Sequence, residues 1–236
     1  MKNDIESIII DQLIMDINNG SYSPKGKMPS ENELADYYNV SRMTIRKVYN
    51  RLQEMGYIYS KQGKGSFIKD RYQLIELVLN GSESFTKKME DRGYDFSTQN
   101  ILCEKIKYNK QIYEELEIRK EDEVYKIVRL RSVDTRPIAL HISYVAKSVF
   151  NEINFEGKNI RSMFNYYESK GYKEFESTKT VLSISFPYSI EKEVLCCPDL
   201  VPLLVVETNC IDPSSNKVLE YTKIIYRGDS FKYRVK

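Results

Sequence analysis

The first third of the chain consists of short amphipathic segments separated by turn residues. Apolar residues at three- and four-residue spacing predict a helix from about residue 5 to residue 18. Asn19-Gly20 ends this helix, because glycine tolerates the left-handed backbone conformation of a helix cap. The predicted buried side of the helix consists of Ile5, Ile8, Ile9, Leu13 and Ile17.

Two further helices follow, and each begins after a serine. Ser30 and Glu33 form an S-x-x-E capping box, which predicts a helix that runs to about Tyr38. Ser41 caps the next predicted helix, which covers residues 42–55. The buried stripe of that helix is Ile45, Val48, Leu52 and Met55, and its outer face carries Arg42, Thr44, Arg46, Lys47 and Asn50.

Two short strands complete this part of the chain. Gly56 ends the third helix, and residues 57–61 and 66–69 are predicted to form a hairpin. The glycines of the intervening residues 62–65 supply the positive φ that such a turn requires. Helix, turn, helix and hairpin in this order predict a winged helix-turn-helix domain over residues 1–69.

The rest of the chain has a mixed pattern of strands and helices. Alternating apolar residues predict a strand over 124–133, followed by a turn and a partner strand over 138–146. A second hairpin is predicted over 203–212 and 218–227. The other predicted elements are helices at 84–92, 161–170 and 190–197 and a strand at 179–185.

These patterns predict an α+β fold with two domains. After the winged helix-turn-helix of residues 1–69 we place a linker over residues 70–80, where turn signals are few. Residues 81–236 are then predicted to form a mixed α/β domain built on an antiparallel sheet.

Composition and cysteine spacing narrow the class of protein. The chain of 236 residues is 41% hydrophobic and 30% charged, as is typical of a water-soluble protein. Apolar runs are short and the N-terminus does not resemble a secretory signal, so we expect a cytoplasmic protein without membrane contact. The four cysteines lack C-x-x-C spacing, which indicates reduced thiols, no metal site and no cofactor. A redox role for the adjacent Cys196-Cys197 pair is left open.

Positive charge is concentrated in the third helix and the hairpin. Residues 42–69 hold seven basic residues and one acid, whereas the whole chain has a net charge of +2. Residues at the start of a recognition helix face base edges, and arginine matches the two acceptors of guanine. This pattern predicts DNA binding, with a winged helix that binds protein as the alternative. The candidates for base and phosphate contact at this helix start are Ser41, Arg42, Met43, Thr44 and Arg46.

Three motifs resemble the signature of the GntR family of bacterial transcription regulators. They are G-x-M-P-S-E-x-E-L-A at 26–35, V-S-R-x-T-I-R at 40–46 and Q-G-K-G-S-F at 62–67. The resemblance implies that Arg42, Thr44 and Arg46 contact DNA in the major groove and that Gln62 and Gly63 approach the minor groove. Asn32 and Met43 depart from the residues that relatives often carry there. The predicted DNA-binding residues are Ser30, Asn32, Ser41, Arg42, Met43, Thr44, Arg46, Lys47, Gln62, Gly63 and Lys64.

Further motifs resemble the UTRA effector-sensing domain of the HutC-type branch, which is similar in fold to chorismate lyase. They are S-F-T at 84–86, V-R-L-R at 128–131, P-I-A-L at 137–140, R-S-M-F at 161–164 and E-Y-T-x-x-x-Y-R-G-D-x-F at 220–231. The resemblance implies that this domain receives a small molecule and controls the DNA-binding domain. Length excludes the branch that carries a fused aminotransferase.

Two arginines supply the candidate chemistry of the second domain. Arg129 and Arg131 lie two positions apart on a predicted strand, so both project from the same face. Two converging guanidinium groups would bind a phosphate or a carboxylate through charge-assisted hydrogen bonds. The alternative is a pair of arginines held in surface salt bridges. His141 stands where relatives commonly carry glutamate, and it is either an effector contact or a structural histidine.

The resemblance extends to the residues around the ligand. In relatives that bind sugar phosphates, the positions of Ser84, Arg129, Arg131 and Ser162 lie near the phosphate, and those of Glu220 and Tyr226 lie near the sugar. The predicted effector-binding residues are Ser84, Phe85, Arg129, Arg131, His141, Ser162, Phe164, Glu220 and Tyr226.

We therefore predict a homodimeric repressor of a carbohydrate uptake or catabolism operon. A sugar phosphate would release it from a pseudo-palindromic, double-stranded operator. The alternatives are a sensor of a non-sugar small acid and a lyase-like enzyme with a DNA-binding head. The sequence contains no G-x-S-x-G elbow, no H-E-x-x-H motif and no Gly-rich phosphate loop, so we expect no catalytic residues and no enzyme activity.

Overall fold

Three helices and a two-stranded hairpin form the N-terminal domain. The computed structural model of the protein describes residues 5–69, 74–78 and 85–234. The capping box of Ser30 and Glu33 is present as predicted, and Ser41 caps the third helix. The elements are α1 (Ile5–Asn18), α2 (Glu31–Tyr38), α3 (Arg42–Glu54), β1 (Ile58–Lys61) and β2 (Gly65–Ile68).

The core of this domain lies between α1 and α3. Ile9 and Leu13 of α1 are fully buried, as are Ile45 and Leu52 of α3. Ile5 and Ile8 of the predicted apolar side are each 46% exposed. Ile10 and Ile14 pack against the core instead, so the buried face of α1 is rotated relative to the predicted stripe.

A six-stranded antiparallel sheet organises the second domain. The elements are α4 (Phe85–Glu90), β4 (Phe96–Lys105), α5 (Lys110–Glu115), β5 (Val124–Val133), β6 (Arg136–Ala146), α6 (Ile153–Glu156), α7 (Met163–Ser169), β7 (Thr180–Ser185), α8 (Ser189–Leu195), β8 (Leu203–Asp212) and β9 (Lys217–Arg227). The strand order of the sheet is β4-β5-β6-β9-β8-β7, and the hairpins β5–β6 and β8–β9 are those that the sequence predicts. Strand β4, at the edge next to β5, was not predicted.

The two faces of this sheet have different partners. On one face Leu140 and Ile225 pack with Leu195 of α8. On the opposite face Ile127 of β5 packs with α6 and α7. Because Arg129 lies two positions after Ile127 on β5, it shares the α6–α7 face and lies on the side away from α8.

A separate two-stranded sheet includes part of the predicted linker. Strand β3 (Ile75–Val78) pairs in parallel with β10 (Phe231–Arg234). The amide of Ile75 also donates to the Ser230 carbonyl, at 2.9 Å. The described part of the predicted linker over residues 70–80 therefore contains a strand. None of the helices in the described ranges is long and apolar enough to span a membrane.

Candidate functional sites: the recognition helix and the buried arginine cluster

The start of α3 presents a row of exposed side chains. Ser41 fixes this start, because its hydroxyl accepts a hydrogen bond from the Thr44 amide at 3.1 Å. The side chains of Arg42 and Arg46 are 61% and 51% exposed, and Met43 is also exposed. A helix with a capped start and exposed arginines in its first two turns has the geometry needed to enter a major groove.

Glu31 of α2 holds both of these arginines. The Nε atom of Arg42 donates to Glu31 Oε2 at 2.9 Å, and Nε of Arg46 donates to Oε1 at 3.4 Å. Burial raises the pKa of the Glu31 carboxyl, but the hydrogen bonds and charges of the two arginines outweigh this effect and lower it. Glu31 was not predicted as a site residue, because no local pattern indicates its contacts with residues 11 and 15 positions away.

The other predicted DNA-binding residues of the helices have different surroundings. Lys47 forms an ion pair with Glu6 of α1, in which its Nζ lies 2.8 Å from Glu6 Oε1. The hydroxyl of Ser30 accepts from the Glu33 amide at 3.2 Å, and Asn32 is exposed beside it.

The hairpin tip places the predicted wing residues in solvent. Gln62, Gly63 and Lys64 form its turn and are all exposed, and Gly63 has a φ of 70°. Below the tip, Nζ of Lys61 lies 5.0 Å from the centroid of the Phe67 ring, which supports the hairpin from one side.

Five of the predicted effector residues lie together inside the second domain. Arg129 and Arg131 of β5, His141 of β6, and Glu220 and Tyr226 of β9 are each no more than 5% exposed. Because they occupy one face of three adjacent strands, their charges act on one another. The alternative of surface salt bridges for the two arginines is wrong, since both are buried.

Arg131 lies between aromatic rings and has no anionic partner in the described ranges. Its guanidinium carbon is 5.8 Å from the centroid of Phe85 and 5.7 Å from that of Phe96. Its Nη1 donates to the Thr98 hydroxyl and, at 3.0 Å, to the Arg161 carbonyl. Among the described residues no carboxylate lies within 4.0 Å of it. Burial and the charge of Arg129 therefore lower the pKa of Arg131 well below its ordinary value.

Arg129 belongs to a buried chain of polar groups. Its Nη2 donates to the Ser143 hydroxyl at 2.5 Å and lies 3.8 Å from Glu220 Oε1. The other oxygen of Glu220 accepts a hydrogen bond from the Tyr167 hydroxyl at 2.7 Å. Burial raises the pKa of Tyr167 well above its ordinary value, and the Glu220 carboxylate adds to this effect. The Tyr167 hydroxyl therefore stays protonated and holds Glu220 in place.

His141 lies between two aromatic rings of the cluster. Its ring centroid lies 4.9 Å from that of Phe85 and 5.8 Å from that of Tyr226. Burial lowers the pKa of His141 well below its ordinary value, and the charges of Arg131 and Arg129 lower it further. The imidazole is therefore neutral at pH 7 and carries one donor nitrogen and one acceptor nitrogen.

Several buried atoms of this cluster have no hydrogen-bond partner among the described residues. A buried polar atom without a partner costs about 1–3 kcal/mol, so four of them in one place make the cluster a candidate binding site. The four atoms are Nε of Arg129, Nε of Arg131, Nε2 of His141 and Oε1 of Glu220.

A surface groove of about 870 Å³ lies beside this cluster. Thr98 and Arg161, which both accept hydrogen bonds from Arg131, line it, and so does Phe96. Ser162 also lines the groove and caps α7, its hydroxyl accepting from the Asn165 amide at 3.4 Å. Arg131 thus lies behind the wall of the groove and is joined to it by these two hydrogen bonds.

Two predicted effector residues are not part of the cluster that the structure describes. Ser84 lies outside the described residues. Phe164 packs on Phe175, with ring centroids 4.7 Å apart, and also contacts Tyr167. Four residues around the cluster were not predicted, because no motif marks them: Phe96, Thr98, Ser143 and Tyr167.

Neither a metal site nor a disulfide is present in the described ranges. No group of three or more His, Cys, Asp or Glu side chains there could hold a metal ion. Cys196 and Cys197 are both free thiols, the first exposed and the second buried. The redox role left open for this pair has no support in the structure.

The winged helix-turn-helix and the buried cationic cluster define a DNA-binding regulator with a ligand-receiving domain. Residues 6–68 match the family described as bacterial regulatory proteins, gntR family, and residues 91–232 match the UTRA domain. The chain belongs to the GntR family and carries a UTRA domain, as the sequence motifs indicate. It is therefore a bacterial transcription regulator.

Known proteins similar to this chain support the same assignment. The HTH-type transcriptional repressor NagR of Bacillus subtilis (strain 168) is 27% identical over 95% of this chain and 91% of its own length. The mannosyl-D-glycerate transport/metabolism system repressor MngR of Escherichia coli (strain K12) is 23% identical over 95% and 92%. The crystal structure of PhnF from Mycobacterium smegmatis has the same fold, with a TM-score of 0.62, 17% identity and coverage of 97% and 98%.

Proposed function

We propose that the protein is a repressor of a carbohydrate uptake or catabolism operon and that a phosphorylated sugar releases it from DNA. The observation that carries this proposal is the excess of buried positive charge in the second domain. Arg129 and Arg131 are both buried there, and Glu220 is the one carboxylate in the described ranges that pairs with either of them. An anionic ligand would balance the remaining charge.

The polar atoms around the two arginines favour a ligand that also carries hydroxyl groups. Oε1 of Glu220 can accept a hydrogen bond, and Nε2 of His141 can accept or donate one. The rings of Phe85 and Tyr226 pack beside these groups, with centroids 6.0 Å apart, and an aromatic ring suits the apolar face of a sugar. MngR, a full-length relative, is named as a repressor of mannosyl-D-glycerate transport and metabolism, which supports a carbohydrate-related effector here.

The proposed partner of the N-terminal domain is double-stranded operator DNA. The exposed start of α3 would enter the major groove while residues 62–64 of the hairpin reach the neighbouring minor groove. The chain would act in the cytoplasm and without catalysis, because binding alone is sufficient for this role.

A second copy of the chain is the proposed protein partner. Strand β7 lies at the edge of the large sheet and pairs only with β8 among the described residues. Residues on both of its faces are exposed, and an unpaired apolar edge of this kind is suited to association. Two copies joined here would present two heads to the half-sites of a pseudo-palindromic operator. The exposed apolar residues of this edge and of the segment after it are Val181, Leu182, Ile184, Phe186, Tyr188 and Ile190.

Sedimentation of an edge variant tests the dimer. We expect the wild-type protein to be a dimer and Ile184→Lys to be a monomer with an unchanged circular dichroism spectrum. Phe155→Lys, which changes an exposed residue outside this edge, is the matched control and should stay dimeric. A dimeric Ile184→Lys variant would contradict the proposed interface.

A thermal-shift panel tests the proposed effector class. Hexose 6-phosphates and disaccharide phosphates are compared with the same sugars lacking phosphate and with small dicarboxylates. A ligand at about 100 times its dissociation constant stabilises the folded state by about 2.7 kcal/mol. Stabilisation by phosphorylated sugars alone supports the proposal, whereas stabilisation by dicarboxylates alone would replace it with a sensor of a non-sugar acid.

A further inference from the structure

An ion cluster centred on Asp229 joins the DNA-binding domain to the effector domain. Nζ of Lys69, at the end of the hairpin, lies 3.0 Å from Asp229 Oδ2, and Nη2 of Arg136 lies 3.1 Å from the same atom. Arg227 donates to both oxygens of this carboxylate, at 3.0 and 2.9 Å. The side chains of Asp229 and Lys69 are 2% and 21% exposed, so water screens the pair little.

The carboxylate of Asp229 is strongly held in its ionised form. Burial opposes ionisation, but the hydrogen bonds from Arg227 and the charges of Lys69 and Arg136 hold the pKa of Asp229 well below its ordinary value. Arg227 is itself anchored, because its Nη1 donates to the carbonyls of Leu195 and Cys196, at 2.8 and 3.0 Å. The Asp229 carboxylate, which pairs with Lys69, is therefore held firmly in the effector domain.

A backbone contact lies next to this ion cluster. The amide of Leu200 donates to the Glu54 carbonyl at the end of α3, at 3.0 Å. Gly56 follows with a φ of 74°, and a Cβ atom there would lie 2.8 Å from Val201 Cγ2 and 3.5 Å from Asp229 Oδ2. Only glycine allows both this conformation and this close approach. The C-terminal end of the recognition helix is thus seated on the effector domain.

The turn that carries Asp229 is directly connected to the effector cluster. Tyr226 and Arg227 are adjacent on β9, so their side chains point to opposite faces of the sheet. Tyr226 lies in the effector cluster, and Arg227 lies on the side of α8 and the N-terminal domain. After the turn, the ring of Phe231 packs on Tyr226 at 4.9 Å and on Phe85 at 6.2 Å.

We infer that residues 227–230 form a clasp that positions the DNA-binding head for operator binding and that depends on the packing of Phe85 in the effector cluster. This inference rests on the proposed DNA-binding function. Asp229 acts as a positioning residue, since it touches Lys69 and not DNA. The ring of Phe85 lies over the Arg131 guanidinium, so a ligand that binds on that face of the guanidinium displaces Phe85. Because Phe85 also supports Phe231, its displacement loosens the end of the clasp turn.

Hydrogen exchange of the Leu200 amide measures the clasp in the full chain without ligand or DNA. Lys69→Gln and Asp229→Asn should each raise the exchange rate of Leu200 at least about tenfold, as expected from the loss of one charge-assisted hydrogen bond. Amides that pair β8 with β9 should be unchanged. Lys69→Gln leaves the Arg227–Asp229 pair intact, so it remains informative where Asp229→Asn fails to fold. Lys105→Gln, which breaks an ion pair with Glu123 elsewhere, is the matched control.

Unchanged protection of Leu200 in the folded Lys69 variant would overturn the clasp. This measurement does not depend on whether the protein binds DNA, so its failure is distinct from a failure of the proposed function. The latter would appear as wild-type protein that selects no sequence from a pool of random duplex DNA.

Operator affinity tests the positioning role. Both variants should bind the DNA selected by the wild-type protein at least about fivefold more weakly, the lower end of typical coupling between sites. Removal of the Asp229 charge would by itself strengthen binding to a polyanion, so weaker binding by Asp229→Asn separates positioning from simple electrostatics. Equal or tighter binding by that variant would overturn the positioning role.

Phe85→Ala tests the link to the effector cluster without any ligand. We expect faster exchange of the Leu200 amide in this variant, because Phe231 loses its support. Phe164→Ala removes a phenylalanine of α7 that packs away from β10, on Phe175, and should leave Leu200 protected. Unchanged exchange in the folded Phe85 variant, or equal effects of the two substitutions, would overturn the link.

Discussion

The hydroxyl of Tyr167 donates a hydrogen bond of 2.7 Å to the Glu220 carboxylate inside the effector domain. Tyr167 is fully buried and Glu220 is 3% exposed, so water cannot replace this contact. It fixes one carboxylate oxygen, whereas the other, Oε1, lies 3.8 Å from Arg129 and has no hydrogen-bond partner among the described residues. Helix α7 thus orients the carboxylate that we propose contacts the effector.

Removal of the Tyr167 hydroxyl should lower the free energy of unfolding of the protein. Tyr167→Phe keeps the ring packing but leaves Glu220 Oε2 buried without its donor, which should destabilise the protein by about 1–3 kcal/mol in urea unfolding. Tyr108→Phe, at an exposed position, is the control and should change little. A Tyr167→Phe protein as stable as wild type would show that this hydrogen bond does not hold the site.

Substitution of Arg131 should affect the ligand and not the DNA. Arg131→Lys keeps a positive charge but loses the planar pair of donors, so affinity for a phosphorylated sugar should fall about 10- to 150-fold, as for the loss of a hydrogen bond to a charged group. Isothermal titration calorimetry measures this change. Operator affinity without ligand should stay at the wild-type level, and normal ligand affinity in this variant would count against the cluster as the phosphate site.

The neutral state of His141 should make stability depend on pH. Its pKa in the folded protein is lowered, so the unfolded chain takes up a proton below about pH 6.5 that the folded chain does not. Stability should therefore decrease as the pH falls through this region, by up to about 1.4 kcal/mol per pH unit. His141 is the only histidine in the sequence, so His141→Gln should flatten this dependence in urea unfolding. An equal slope in both proteins would mean that His141 is protonated in the folded state.

Arg46 should carry part of the sequence recognition. Arg46→Ala should reduce affinity for the selected operator about 5- to 150-fold, as expected for the loss of one bidentate contact to a base. Arg51→Ala, near the end of the same helix, where Arg51 pairs with Glu54 at 3.1 Å, is the control. A gel-shift experiment with both variants compares them, and equal affinities would exclude Arg46 as a base-reading residue.

The local pattern of hydrophobic and turn residues was sufficient to predict most of the helices and strands. Strands 124–133 and 203–212 were predicted with the bounds that the structure has, because alternation and turn residues mark their ends. Strands β3 and β10 were not predicted. Each is short, and the two strands pair with each other although they lie about 150 residues apart along the chain. Pairing at such a distance leaves no periodic signal in either segment.

In the candidate site, too, the residues that come from distant parts of the chain could not be predicted from local patterns. The spacing of Arg129 and Arg131 was sufficient to place both on one face of a strand. Their neighbours Thr98 and Tyr167 come from β4 and α7, and no motif marks them. The apolar stripe of α1 likewise does not tell which of its residues pack on α3, and Ile5 stays exposed.

Operator release by a sugar phosphate tests the central proposal most directly. Fluorescence anisotropy of the selected operator duplex is measured with and without a panel of phosphorylated sugars, for the wild-type protein and for Arg131→Lys. We predict that at least one member of the panel weakens operator binding by the wild-type protein about 5- to 150-fold and has little effect on the variant. Operator binding that no phosphorylated sugar changes, or release that is equal in the two proteins, would contradict the proposal.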